Sequence, residues 1–154
     1  MIILGIDPGL ATVGFGLIDT CNNEMRMIDC GIIKTEKGQS DGDRMVEISK
    51  DLQAIINKWD PDLAAIEKFF FYKSSTTISV VQARGVLIMT LAKNQIPILE
   101  FPPMQIKLAL TGYGHASKDD VLEGVMRELK LTIPPKPDDA ADALAIAITG
   151  FFQQ

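Results

Sequence analysis

The first thirty-five residues read as three consecutive strands, and this pattern narrows the fold more than any other feature of the chain. Met1 to Asp7, Val13 to Asp19 and Met25 to Thr35 are apolar-rich runs of strand length, broken by Pro8-Gly9 and by Cys21-Asn22-Asn23-Glu24. Gaps that short join neighbours in antiparallel fashion, so the chain opens as a meander. The pattern then changes. Glu36 to Asp43 reads as a polar, Gly-containing loop, after which Met45, Ile48, Leu52, Ile55, Ile56 and Trp59 recur at three- and four-residue steps, the mark of an amphipathic helix ending before Pro61. Leu63 to Ile66 is a short apolar run suited to a buried parallel strand reached by that helical crossover.

The alternation continues to the end. Ser74 to Asn94 predicts a long helix, apolar around much of its circumference and capped by Ser74 or Ser75. Pro97 to Phe101 is a strand, and Pro102 opens a short helix to about Leu110. Gly112 and Gly114 mark a loop, and Val121, Leu122, Val125, Met126 and Leu129 give a further amphipathic face. Beyond the rigid Pro134-Pro135-Lys136-Pro137, an Ala-, Leu- and Ile-rich helix from Asp138 to Phe152 must pack against the sheet. The order βββ-α-β-α-β-α-α-α is an α/β arrangement with a mixed five-stranded sheet flanked by helices, which is ribonuclease-H-like. With 154 residues, 47% hydrophobic and 23% charged, one domain over 1–154 is expected.

Several function classes drop out. The longest apolar stretches, Gly85 to Ala92 and Ala143 to Ile148, fall far short of the roughly 20 residues a spanning helix needs, and no export signal leads the chain, so a cytoplasmic protein without a membrane partner is expected. Cys21 and Cys30 lack CxxC spacing, and His115 is the single histidine. Neither a zinc site nor a Ser-His-Asp arrangement is supported, which leaves chemistry to carboxylates and lysines.

Four carboxylates stand where acids are awkward. Asp7 and Glu67 each end an apolar strand, and Asp139 and Asp142, three apart on an Ala-rich helix, share one face. Each has a plain alternative: Asp7-Pro8-Gly9 as turn chemistry, Glu67 as a solvent-facing strand end, Asp138 and Asp139 as first-turn acids complementing the helix dipole. Asp142, among Ala, Leu and Ile, resists such a reading. If the four converge, divalent hard cations relieve the repulsion and suit phosphodiester cleavage.

Ile3-Leu4-Gly5-Ile6-Asp7-Pro8-Gly9, Ala65-Ile66-Glu67, Gln82-Ala83-Arg84-Gly85 and Asp139-Ala140-Ala141-Asp142-Ala143-Leu144-Ala145-Ile146-Ala147 together resemble the bacterial RuvC Holliday-junction resolvases, from Met1 to about Thr149. The resemblance implies a homodimeric, Mg²⁺-dependent endonuclease that nicks two opposed strands of four-way junction DNA in recombination and repair. It implies two ions per subunit, with Mn²⁺ able to substitute, on Asp7, Glu67, Asp139 and Asp142 as catalytic metal ligands, and it implies association with the RuvA–RuvB branch-migration complex. Asp138 does not align and is read as a helix N-terminal charge.

Lys107 and Lys118 match lysines the family uses near its active site, which points to phosphate binding, although Lys118 alone would pass for a solvated charge. Arg84 reads equally as an ion-pair partner or a DNA contact. Phe69-Phe70-Phe71-Tyr72 cannot all enter a core from extended backbone. Phe70 matches the family's base-stacking aromatic, while Phe69, Phe71 and Tyr72 default to core or to a dimer contact. Three rivals remain: a related ribonuclease-H-like nuclease acting on RNA or other branched DNA, an actin-like nucleotide-binding module, and a non-catalytic junction binder. The net charge of −5 speaks against a generic nucleic-acid binder, yet residues 66–118 hold six Lys and Arg against two Glu. A basic central segment backed by acidic flanks therefore accommodates DNA through relatively few phosphate contacts.

Overall fold

A computed structural model describes residues 1–68 and 77–154. Strands β1 (Ile2–Asp7), β2 (Thr12–Cys21) and β3 (Glu24–Lys34) form the antiparallel meander, and β4 (Leu63–Glu67) and β5 (Ile98–Phe101) add to it in parallel. The sheet order is β3-β2-β1-β4-β5, the mixed five-stranded sheet expected from the element order. Helices α1 (Asp41–Trp59), α2 (Thr77–Lys93), α3 (Pro103–Thr111), α4 (Lys118–Glu128) and α5 (Asp138–Phe152) complete the chain.

The period-2 pleat sorts neighbouring residues to opposite faces of the sheet. Ile3, Ile18, Leu63 and Ala65 join the core beneath α3, α4 and α5, while Leu4, Leu17, Ala64 and Ile66 join the core beneath α1 and α2. Because helices cover both faces, β1 and β4 are apolar without alternation, as buried strands are. Asp7 and Glu67 end these two neighbouring parallel strands and therefore emerge at the same edge.

β2 runs on to Cys21 and β3 begins at Glu24, inside the segment read as a break, and the start of α1 differs as well. The segment 36–43, read as a loop, gives way to helix at Asp41. Ser40 caps it by accepting a hydrogen bond from the Asp43 amide, with Asp41 and Asp43 in the first turn, so a cap and dipole-matched acids start the helix before the apolar period begins. The proposed Ser74 or Ser75 cap of α2 lies outside the described residues.

Helix α5 sits on β1 and β2 almost backbone to backbone. A Cβ on Gly5 would collide with the Ala143 carbonyl, one on Gly14 with the backbone of Asp139, and one on Gly16 would fall 2.8 Å from the Leu144 nitrogen. Ala140, Ala143 and Ala147 supply small side chains on the helix, and all are fully buried. Gly14→Ala should therefore cost about 1–3 kcal/mol by overpacking, at roughly 2–4 °C of melting temperature per kcal/mol for a chain of this size. A thermal melt matching the wild type would contradict this seating.

Candidate active site

The tight seating of α5 decides where its acids go. Gly14 pairs with Asp7 across β1 and β2, and the backbone of Asp139 rests against Gly14, so the first turns of α5 lie over the end of β1. Oxygens of Asp7, Asp139 and Asp142 come within 4.8 Å of one another. Glu67 enters from the adjacent strand and lines, with Asp7 and Asp142, an open cleft of about 260 Å³. All four expected acids thus gather at one place.

The cleft has two lysines and an apolar wall. Lys118, first residue of α4, places Nζ 3.3 Å from Asp142 and 4.0 Å from Asp138. Its position is fixed by Ser117, which accepts from the Asp120 amide while its own amide donates to the Asp120 carboxylate, a reciprocal cap. Lys107, on α3, faces the cleft and acts on Glu67. Pro103, Ile106, Val121, Ala145 and Ile146 form the rest of the lining. In the sequence, Val121, Ala145 and Ile146 read only as parts of a helix face or a motif, and nothing there assigns any of the five to a cleft.

Electrostatics follow from that wall. Burial, then the carboxylates of Glu67, Asp142 and Asp139, push Asp7 from 3.8 up to about 8, against a smaller opposing pull from Lys118. Glu67 is raised by burial and by Asp142, and Lys107 offsets part of this. Asp142 is raised because burial outweighs its pairing with Lys118, and Lys118 in turn is raised by Asp142. Two ammonium groups against four acids leave the site short of positive charge. Oxygen donors so gathered, and so reluctant to ionise together, fit a hard divalent cation rather than a soft one. Asp7, Asp139 and Asp142 could share one such ion, with Glu67 at the end of the strand beside Asp7.

Of the other residues singled out, those that are described fall elsewhere. Arg84 lies on α2 with Nη2 2.8 Å from Glu100 Oε2 on β5, close enough for an ion pair but out of line for a hydrogen bond, and among the described residues its buried Nε has no acceptor. Phe70, like Phe69, Phe71 and Tyr72, lies outside the described residues. His115 is exposed and stacks edge-on against Tyr113, away from the acids. Asp138 is exposed at the start of α5, as a helix N-terminal charge should be.

Comparison with known proteins identifies the fold and the family. The chain superposes on Thermus thermophilus RuvC in complex with Holliday junction substrate with a TM-score of 0.93 at 32% identity, covering 99% of this chain and 94% of that one. The uncomplexed Thermus thermophilus RuvC gives 0.90 at 31% identity, with the same coverage. The fold is therefore ribonuclease-H-like. The family model described as crossover junction endodeoxyribonuclease RuvC matches residues 3–150, and this chain belongs to that family. A relative of that name from Prochlorococcus marinus is 73% identical over 155 residues and one from a Synechococcus strain 70% over 154, with full coverage of both chains in each case.

A pH-dependent stability follows from Asp7. Its carboxyl titrates near 3.8 when unfolded and near 8 when folded, so between those values the folded state holds the extra proton. Stability from this group therefore falls as pH rises from about 4 to 8 and is flat beyond. In metal-free buffer Asp7→Asn should melt at least about 3 °C above the wild type at pH 8.5, the gap closing near pH 4. Mg²⁺ should raise the melting temperature of the wild type and leave the variant unmoved. Identical melts across that range would contradict the site.

Proposed function

We propose that this chain acts as a single nuclease domain that resolves four-way DNA junctions by paired symmetric nicks, using Mg²⁺ held by Asp7, Glu67, Asp139 and Asp142. The convergence of those four acids at the edge of β1 and β4, in a chain of the RuvC family, carries the reading. When bound, such ions supply Lewis acidity for activating water and for the departing oxygen of a phosphodiester. Mn²⁺ offers the same oxygen preference. The protein's own part is to fix the carboxylates with α5, to exclude water with Ile106, Val121 and Ile146, and to offset phosphate charge with Lys107 and Lys118. Phe70 is assigned to base stacking by its place in the family pattern. For Arg84, the ion pair with Glu100 favours a role in holding α2 to β5 over DNA contact.

A homodimer suits the two-fold character of a junction, and α2 has a face for it. Ile78, Val81 and Met89 are exposed, and Gly85, on the same stripe, has open space where a Cβ would be. A glycine inside a helix costs about 1 kcal/mol against alanine. Among the described residues nothing needs it there, and a partner helix passing close would. Val81→Arg should shift sedimentation to the monomer and turn paired nicks into uncoordinated single ones; an unaltered dimer would put the interface elsewhere. Hand-off from a RuvA–RuvB complex and work in the cytoplasm are proposed on family membership. No helix among the described residues is long and apolar enough to cross a membrane.

The direct test is cleavage of a mobile four-way junction with and without Mg²⁺, mapping the nicks and running duplex DNA and an RNA–DNA hybrid alongside. Symmetric nicks in the junction alone are expected. Asp7→Asn should lose at least about a thousandfold in cleavage rate while retaining binding, since removing a ligand of the catalytic cations removes their acidity. Equal cleavage of the hybrid would favour the general ribonuclease-H-like alternative.

A further inference from the structure

Outside the cleft, the turn that follows Asp7 opens into a second cavity of about 350 Å³. It is lined by Gly9, Leu10, Ala11 and Thr12 together with Lys37, Arg44, Ser79 and Val80. Three features of it concern charge. First, Arg44 is aimed rather than free: its Nε donates to Thr35 Oγ1 at 2.9 Å, and the buried Thr35 hydroxyl donates to the Leu10 carbonyl at 2.6 Å. That relay ties the guanidinium to the turn and leaves its two terminal nitrogens for another acceptor. Second, among the described residues neither Lys37 nor Arg44 has an acidic partner within 4.0 Å, whereas Lys58, Arg84, Lys118, Arg127 and Lys130 each have one. Third, the amides of Gly9, Leu10 and Ala11 donate no hydrogen bond among the described residues. The first turn of α2, which contributes Ser79, carries no acid.

Two unpaired cations, a hydroxyl, unpaired turn amides and a helix start without an acid are the ingredients of an anion site. We propose that this cavity binds a backbone phosphate of the DNA strand entering the active site, with Arg44 and Lys37 as the binding residues. The proposal rests on the nuclease reading above. Gly9 is two residues beyond Asp7, a span of at most about 7 Å, which is roughly two nucleotides of rise along one strand. The site would thus grip the strand one or two phosphates from the scissile one and fix its register over the carboxylates, a positional task that reads no base sequence.

Junction binding measured against salt, with Ca²⁺ in place of Mg²⁺, tests this. Lys37→Gln and Arg44→Gln should each weaken affinity at least about fivefold at 150 mM salt and lower the slope of log affinity against log salt by about one. Arg44→Lys, which keeps the charge, should restore most of both. Unchanged slope and affinity in an otherwise active protein would overturn the site and leave the nuclease reading standing. If Arg44→Gln fails to fold, the exposed Lys37→Gln decides alone. A wild type that neither binds nor cleaves the junction would overturn the nuclease reading and this site with it.

Discussion

The contact on which the site depends is the close approach of α5 to β1 and β2. Glycines at 5, 14 and 16 and alanines at 140, 143 and 147 bring a helix and a sheet together with almost no side chain between them. At ordinary separation, with larger residues at those positions, Asp139 and Asp142 would stand away from Asp7. The same contact buries the helix almost completely from Ala140 to Gly150, so Asp139 and Asp142 are held by a deeply packed element. Precision at the site is bought with core packing rather than with hydrogen bonds between the acids.

That arrangement works against the ionised carboxylates. Apolar walls and mutual repulsion hold Asp7 largely protonated at neutral pH until positive charge arrives. Lys118 supplies some through Asp142, but it is exposed and also within reach of Asp138, so its compensation is partial. A chain with an overall charge of −5 thereby gathers acids in one desolvated place and basic residues around it. Its acidic isoelectric point says little about the face presented to DNA.

Much of this was legible in the sequence. The meander, the crossover helices and the order of elements follow from the switch between period two and period 3.6, and the acids declared themselves by sitting in apolar runs. Other parts were hidden for physical reasons. The start of α1 lay in Ser40 and its two acids, a capping signal masked by neighbouring glycines that read as loop. The apolar side of the cleft comes from three separate helices, α3, α4 and α5, so no local pattern reports it. Arg84 looked the same whether it paired with Glu100 or reached for phosphate, because a partner sixteen residues away on another element leaves no periodic trace. Gly14 read as one strand residue among many, yet its lack of a side chain places Asp139.

Helix α5 forces Asp7 into a desolvated cluster whose charge a divalent cation completes. Carbon-13 NMR of the Asp7 side-chain carboxyl, titrated with and without Mg²⁺, tests it most directly. In metal-free protein the carboxyl should titrate near 8, and saturating Mg²⁺ should move it below the ordinary aspartate value of about 4. An Asp7 that titrates near 4 in both conditions would contradict the account.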